Sequence, residues 1–330
     1  MKFKKVGKIQ EPISVIGMGC WELSGGGFWD GSEDSGSKDT VHFALDHGVN
    51  LLDVAPVYGH GRAETLLGKA IKGYDRTKFI IASKCGLRWD NSGKEYNDLS
   101  KKSILEEIDH SLKRLQTEYI DIYQLHWPDP KTPIEETIET IQTIQQSGKI
   151  RYFGVTNFSV KSVENIMKYI SVDSQQGLYN MLERNTTAYH NIPLEYKTEK
   201  ETLPFCLKHG QAFFPYSPMF QGLLSGAFLA DPRDNFSEYD VRRCNPKLNG
   251  KLYTTYYHAM LELKTLAESY GHPLNELALN WLIDNPAVTS VIGGALSPAQ
   301  VGSNLKALEW EITPEMKEKI STVLAPFENM

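Results

Sequence analysis

The chain has 330 residues, 41% of them hydrophobic and 23% charged, a balance ordinary for a globular protein with a sizeable core. Its net charge of −6 offers no cationic footprint for nucleic acid or for an anionic membrane surface. Four scattered cysteines, Cys20, Cys85, Cys206 and Cys244, form no C-x-x-C pair; they point to a reducing compartment and exclude a disulfide frame or a zinc site.

The start MKFKKVGK is basic without an apolar stretch behind it, so no signal peptide is expected. Nor is there a run of about 18 apolar residues to span a membrane. Cytoplasm is the expected location.

Residues 2–14 read as a hairpin turning at Gly7-Lys8, and Ile13–Gly19 as a first barrel strand. The glycine-rich loop CWELSGGGFWDGSEDSGS follows, then a helix over Asp39–His47. Asn50-Leu51-Leu52 ends a short buried strand and runs into Asp53, with Tyr58 five residues on. From Arg62 to Ile71, apolar residues at 63, 66, 67, 70 and 71 have helical spacing. Lys78–Lys84 is apolar until it closes on a lysine, and Tyr119–His126 closes on a histidine.

Helices are expected at Lys101–Leu115 and Ile134–Ser147, the second closed by Gly148. Strand five is Tyr152–Val155, ending at Thr156-Asn157, with a helix from about Ser159; strand six lies around Asp173–Leu178. The long connection Asn185–Lys200 leads to a helix through His209 and to strand seven, Ala212–Tyr216. Ala230–Lys251 is polar and irregular. Helices over Tyr257–Tyr270 and Leu274–Asp284, strand eight at Val288–Ile292, a helix at Pro298–Leu308 and an amphipathic Pro314–Leu324 complete the chain. This alternation predicts the α/β class: a (β/α)8 TIM barrel with an N-terminal β-hairpin and an extra C-terminal helix, one domain over residues 1–330.

On its own segment Asp53 reads equally as a helix cap, and Tyr58 as a loop aromatic. The other two strands shift that balance. Lysine and aspartate are seldom buried without a partner, and the strand ends of a parallel barrel form its functional face. Transferring a hydride to a carbonyl leaves an alkoxide that needs a proton. A phenol can supply it, but an unperturbed tyrosine pKa near 10 is high for that work at neutrality. A neighbouring ammonium, itself held charged by a carboxylate, is expected to lower it. Tyr58, Lys84 and Asp53 suit those roles, with His126 as a neutral donor that orients the carbonyl.

Asp53, Tyr58, Lys84 and His126 resemble, in order and surrounding text, the tetrad of the aldo-keto reductase superfamily. LLDVAPVYGHGRAETLLGKAI, IIASKCG, RLQTEYIDIYQLHWPDP, GKIRYFGVTNFS, LYNMLER, YSPMFQGLLSG and VTSVIGGALSPAQVGSNLKAL are similar to its successive signatures and cover essentially the whole chain. DGSEDS and HWPDP are most similar to the bacterial branch of inositol-operon reductases and sugar-active dehydrogenases.

The resemblance implies a nicotinamide-dependent oxidoreductase with no metal and no Rossmann fingerprint. Thr156, Asn157 and Gln176 would bind the nicotinamide carboxamide, and Tyr216 would stack on the ring. Ser217, Pro218, Met219, Gln221 and Gly222 would line the pyrophosphate. Gly294, Gln300 and Asn304 would hold the adenosine end at a helix start. Ala227 and Leu296 stand where relatives often carry lysine, serine or arginine near the phosphates, and Arg242 and Arg243 could compensate. NADP(H) is favoured slightly over NAD(H).

Trp21, Phe28, Trp29, Trp89 and Trp127 fall in loops at the expected mouth. Of these, Trp21, Trp29, Trp89 and Trp127 are the candidate substrate contacts. With the polar neighbours Glu22, Asp30, Arg88 and Asp129 and the long Asn185–Lys200 loop they favour a sugar or polyol over a greasy aldehyde. Asn185–Lys200 is expected to shape substrate choice. The sequence leaves a homo-oligomer open. Two other functions compete: a Schiff-base aldolase using Lys84, and a redox-sensing regulatory subunit on the same fold.

Overall fold

In a computed structural model, which describes residues 1–25, 34–226, 236, 240–328 and 330, strands β1 (Phe3–Val6) and β2 (Ile9–Ser14) pair as the expected hairpin. The first barrel strands are β3 (Ile16–Gly19), β4 (Leu51–Asp53) and β5 (Ile80–Cys85). A small hairpin, β6 (Leu87–Trp89) with β7 (Glu95–Asn97), rises from the end of β5. The barrel continues through β8 (Ile120–Leu125), β9 (Ile150–Thr156) and β10 (Ser174–Leu178). A two-residue pair, β11 (Ala188–Tyr189) and β12 (Ile192–Pro193), lies in the next connection. β13 (Ala212–Tyr216) and β14 (Val291–Gly294) finish the ring.

The eight barrel strands follow one another in chain order, and β14 returns to pair with β3 in parallel. Between β13 and β14 the ring is closed by one residue. Thr289 N–H donates to the Phe213 carbonyl at 2.9 Å, and Thr289 Oγ1 accepts from Phe213 N–H at 3.1 Å. This is the TIM-barrel architecture.

Period-two alternation explains why these apolar runs are strands and where their side chains go. Leu51, Ile80, Ala82, Ile122, Ala212, Phe214 and Ile292 share one interior cluster with Ile9 and Ile13 of the hairpin. The hairpin therefore plugs the N-terminal end of the barrel. Leu52, Ile81, Tyr123, Leu125, Phe153 and Val155 face the opposite way, into the layer packed against the helices. Each such buried aliphatic contributes about 1.5–3 kcal/mol, and truncating one, as in Ile122→Ala, costs about 2–5 kcal/mol.

The same parity decides the chemistry. Two residues beyond Leu51 is Asp53, two beyond Ala82 is Lys84, and four beyond Ile122 is His126. All three side chains are thus delivered to the C-terminal end of the barrel interior. There they are 3%, 0% and 8% exposed, which no solvent-facing lysine or aspartate would be.

Some boundaries differ from expectation. The first helix starts at Asp34, and strand eight begins at Val291, with Thr289 serving the β13 junction and Val288 N–H closing a turn onto Asn285. The helix expected from Tyr257 begins at Gly250, after Asn249. Among the described residues, no helix is long and apolar enough to cross a membrane.

Candidate active site

The turn after β4 sets Tyr58. Gly59, His60 and Gly61 all have positive φ, at 60°, 50° and 93°. A Cβ on Gly59 would lie 2.5 Å from the Ser24 carbonyl oxygen, and one on Gly61 would lie 2.8 Å from Arg114 Cδ. Both positions require glycine for space and for backbone conformation. Left-handed backbone at the non-glycine His60 is the kind of strain that collects at functional sites. The helix Arg62–Ala70 starts at once. Its Glu64 is fully buried and holds Arg114 Nε at 2.7 Å and Ser83 Oγ at 2.8 Å.

Lys84 Nζ donates to Asp53 Oδ1 and Oδ2 at 2.8 and 3.0 Å and to the Val54 carbonyl at 3.1 Å. It reaches the Tyr58 hydroxyl at 3.5 Å. The Tyr58 and His126 rings meet edge to face, with centroids 6.1 Å apart. The four residues of the expected tetrad are therefore brought together in one group.

Their electrostatics differ from expectation in one respect. Burial first, and then the Asp53 charge, push the Tyr58 phenol well above its usual range. Lys84 is bound more closely to Asp53 than to Tyr58, so its charge is largely spent on the carboxylate. Burial, reinforced by Lys84, holds His126 well below the usual imidazole range and so neutral.

Around this group lie the amides expected to meet a nicotinamide. Gln176 Nε2 donates to Asp53 Oδ1 at 2.8 Å. Asn157, at a left-handed φ of 64°, donates from Nδ2 to the His126 carbonyl at 3.3 Å. Its Oδ1 accepts from Tyr196 and Tyr216, each at 2.9 Å. Thr156 Oγ1 is buried and has no hydrogen-bond partner among the described residues. A buried hydroxyl left unsatisfied beside two amides is what a site for a carboxamide would leave, so this donor set fits a nicotinamide.

The segment after β13 carries Ser217, Phe220, Gln221 and Gly222 at positive φ, three of them not glycine. Phe220, Gln221 and Gly222 are left-handed in succession after Met219, and the Phe220 and Gly222 N–H groups close the turn on the Ser217 and Met219 carbonyls. Pro218 and Met219 lie within the same stretch. The Gln221 amide is engaged by His190 Nε2 at 2.8 Å and by Asn245 Nδ2 at 2.9 Å.

At the end of β14, a Cβ on Gly294 would strike Glu22 Oε1 at 1.8 Å, so the missing side chain makes room for that carboxylate. Burial raises the Glu22 carboxyl to about 7, against one backbone hydrogen bond and with help from Asp53. Gln300 Oε1 accepts from Leu296 N–H at 2.6 Å at the start of the helix Pro298–Leu305, and Asn304 is buried behind Gly293. Arg242 is held by Asp240 in a forked pair at 2.9 and 2.5 Å.

The aromatic candidates divide. Trp21 stacks on Tyr58, with ring centroids 5.5 Å apart and planes 7° from parallel. Trp89, on β6, stacks on His60 at 4.8 Å. Trp127 packs with Leu178, Leu194 and Tyr196. Phe28, Trp29, Asp30 and Ala227 lie outside the described residues. Arg88 turns to Ser103 and Glu106, and Asp129 caps the backbone of Leu99 and Lys131, so neither is committed to the mouth. The sequence gives Tyr189 and Tyr196 no place in the site; the half-buried Tyr189 and the buried Tyr196 join it only because the connection after β10 folds back on Tyr216 and Asn157.

Residues 15–325 match the family model described as aldo/keto reductase family. The chain belongs to the aldo/keto reductase family. It is an NAD(P)-dependent oxidoreductase. The aldo-keto reductase YhdN of Bacillus subtilis is 34% identical over 98% of this chain and 94% of its own length. An NADH-specific methylglyoxal reductase of Escherichia coli is 31% identical over 93% of this chain and 94% of its own. Among solved structures, the glycerol dehydrogenase AKR11B4 from Gluconobacter oxydans is similar with a TM-score of 0.86. Its identity is 33%, covering 99% of this chain and 97% of that one.

Proposed function

We propose that this aldo/keto reductase interconverts a small hydroxylated carbonyl compound and its alcohol, with Tyr58 as the proton donor and acceptor. The observation that carries the reading is the buried Lys84 ammonium, set between the Asp53 carboxylate and the Tyr58 hydroxyl at the barrel mouth. A nicotinamide dinucleotide, when bound, would supply or remove the hydride. The protein's part is to hold a proton at Tyr58 Oη and to orient the substrate oxygen.

A phenol kept protonated by burial and by Asp53 stands ready as an acid. Lys84 faces the oxygen on which negative charge grows as that proton leaves. Neutral His126, edge-on to Tyr58, can donate to the same substrate oxygen without adding a charge. Thr156, Asn157, Gln176 and Tyr216 would hold the nicotinamide, and the backbone of 217–222 the pyrophosphate. Gly294, Gln300 and Asn304 would hold the adenosine end.

The aldolase reading is disfavoured by the same lysine. Its ammonium is engaged by Asp53, the Val54 carbonyl and the Tyr58 hydroxyl, and a nucleophilic amine would have to give up that ion pair.

For the cofactor, an apolar Leu296 and an Arg242 already committed to Asp240 favour NAD(H) over the NADP(H) that the sequence alone favours. A guanidinium paired internally is a poor partner for a 2′-phosphate. The names of two relatives, a methylglyoxal reductase and a glycerol dehydrogenase, agree with a small oxygenated substrate. The stacked Trp21 would press against its C–H face.

The test is a cofactor-oxidation screen of aldoses, keto-sugars and small aldehydes with both NADH and NADPH. Turnover of short hydroxylated carbonyls is expected. Tight cofactor binding without turnover of any of them would instead favour the regulatory-subunit reading, and a borohydride-trapped adduct on Lys84 the aldolase.

A further inference from the structure

Tyr196 belongs to the connection between β10 and β13, a stretch that looks from sequence like a substrate loop. Its ring is 3% exposed, and its hydroxyl lies at the centre of a defined hydrogen-bond chain. Leu178 N–H donates to that hydroxyl at 3.1 Å. With an acceptor site taken, the phenol proton is free to point at Asn157 Oδ1, 2.9 Å away. Tyr216 reaches the same oxygen at 2.9 Å.

This fixes which way the Asn157 amide faces. Reversing it would set an amide oxygen against the His126 carbonyl, where Nδ2 now donates at 3.3 Å. It would also leave the proton of Tyr196 aimed at an N–H. Both lone pairs of Oδ1 are therefore filled, and Asn157 has only its second Nδ2–H to offer a ligand. Gln176 is polarised in the opposite sense. Its Nε2 is drawn to the Asp53 carboxylate at 2.8 Å, which reserves Oε1 as its acceptor.

We propose that Tyr196 is a positioning residue that, with Tyr216, fixes the Asn157 amide as a pure donor to the carboxamide oxygen of a bound nicotinamide. Gln176 Oε1 then receives the carboxamide NH2. This pairing admits one orientation of the carboxamide, and so one rotation of the ring beneath the substrate. The inference rests on the nicotinamide-binding reading given above. It moves the connection after β10 from the substrate side of the site to the cofactor side.

The experiment measures dissociation constants of NADH, NADPH and ADP-ribose by fluorescence titration. The proteins are the wild type, Tyr196→Phe, Tyr216→Phe, Asn157→Ala and the double variant Tyr196→Phe/Asn157→Ala. ADP-ribose has no nicotinamide, so a general loosening of the fold weakens it as well, whereas loss of carboxamide recognition does not. Tyr196→Phe should weaken the preferred reduced dinucleotide about 5–10-fold, the effect of one lost or misdirected hydrogen bond. ADP-ribose binding should stay unchanged. In the Asn157→Ala background Tyr196→Phe should cause no further loss.

Equal weakening of ADP-ribose and dinucleotide, or an undiminished effect of Tyr196→Phe when Asn157 is already absent, overturns the proposal. Tyr216→Phe serves should Tyr196→Phe not fold, with weaker dinucleotide binding and intact ADP-ribose binding expected, and the opposite outcome overturning it. A wild type that binds no nicotinamide dinucleotide sinks the functional reading itself. Tight wild-type binding with a neutral Tyr196→Phe sinks only the role of Tyr196.

Discussion

Lys84 and Asp53 form a two-point contact, with Nζ 2.8 and 3.0 Å from the two carboxylate oxygens, on side chains that are 0% and 4% exposed. Such a pair is costly to break from one side, because the partner left behind is a buried and uncompensated charge. Its position explains both how Tyr58 is served and why the phenol is not acidified. The ammonium answers first to the carboxylate, and Tyr58 Oη lies 3.5 Å from it.

That ordering has a consequence for pH. The Tyr58 phenol titrates above its usual value near 10, so it carries its proton through the physiological range. Carbonyl reduction uses the protonated form, and its kcat should show no alkaline fall from Tyr58 below about pH 10. Alcohol oxidation uses the deprotonated form and should gain up to about tenfold per pH unit over the same range. Initial rates in both directions from about pH 6 to about pH 10 check this. A reductive kcat that halves near neutrality through Tyr58 would contradict it.

Stability should carry a separate signature from Glu107. This carboxylate is 4% exposed, accepts from Gly86 N–H at 2.8 Å, and its Oε1 has no partner among the described residues. Burial raises it from 4.5 to about 7. Between those values the folded protein binds the proton and the unfolded chain does not. Stability is therefore highest below the lower value and falls as pH rises toward the upper one, by roughly 3 kcal/mol at most. Glu107→Gln keeps the acceptor for Gly86 and should flatten this slope in denaturant titrations at pH ~5 and ~8. A variant with the wild-type slope would remove Glu107 from the account.

Cofactor choice should respond to Leu296. Leu296→Arg places a guanidinium at the start of the helix Pro298–Leu305, where it can pair with a 2′-phosphate. The ratio of NADPH to NADH dissociation constants should move toward NADPH by roughly tenfold, the worth of one charge-assisted contact. An unchanged ratio would mean that Leu296 points away from the adenosine ribose.

Much of this site was legible because strand parity is a local property. Once Leu51, Ala82 and Ile122 are taken as interior residues, Asp53, Lys84 and His126 must follow them inward. The barrel closure was less legible, since it depends on Thr289, a residue that sequence pattern assigns to the strand itself. The β6–β7 hairpin escaped notice because three-residue strands carry too little alternation to be seen. The direction of the Tyr58 shift was misjudged because a list of neighbours gives charges without distances or burial. Nothing in Asn185–Lys200 reveals that the chain folds back to bring the Tyr196 hydroxyl onto Asn157.

The central claim is that Tyr58 supplies the proton for a nicotinamide-dependent carbonyl reduction, and its most direct test is the turnover of Tyr58→Phe at saturating cofactor. The substitution removes one oxygen and keeps the ring that stacks on Trp21. The account predicts a kcat lower by roughly 10²–10⁴, with the dinucleotide dissociation constant within about twofold of wild type, since a neutral hydroxyl not engaged by the cofactor contributes little to its binding. A folded Tyr58→Phe that reduces its best substrate at the wild-type rate would contradict it.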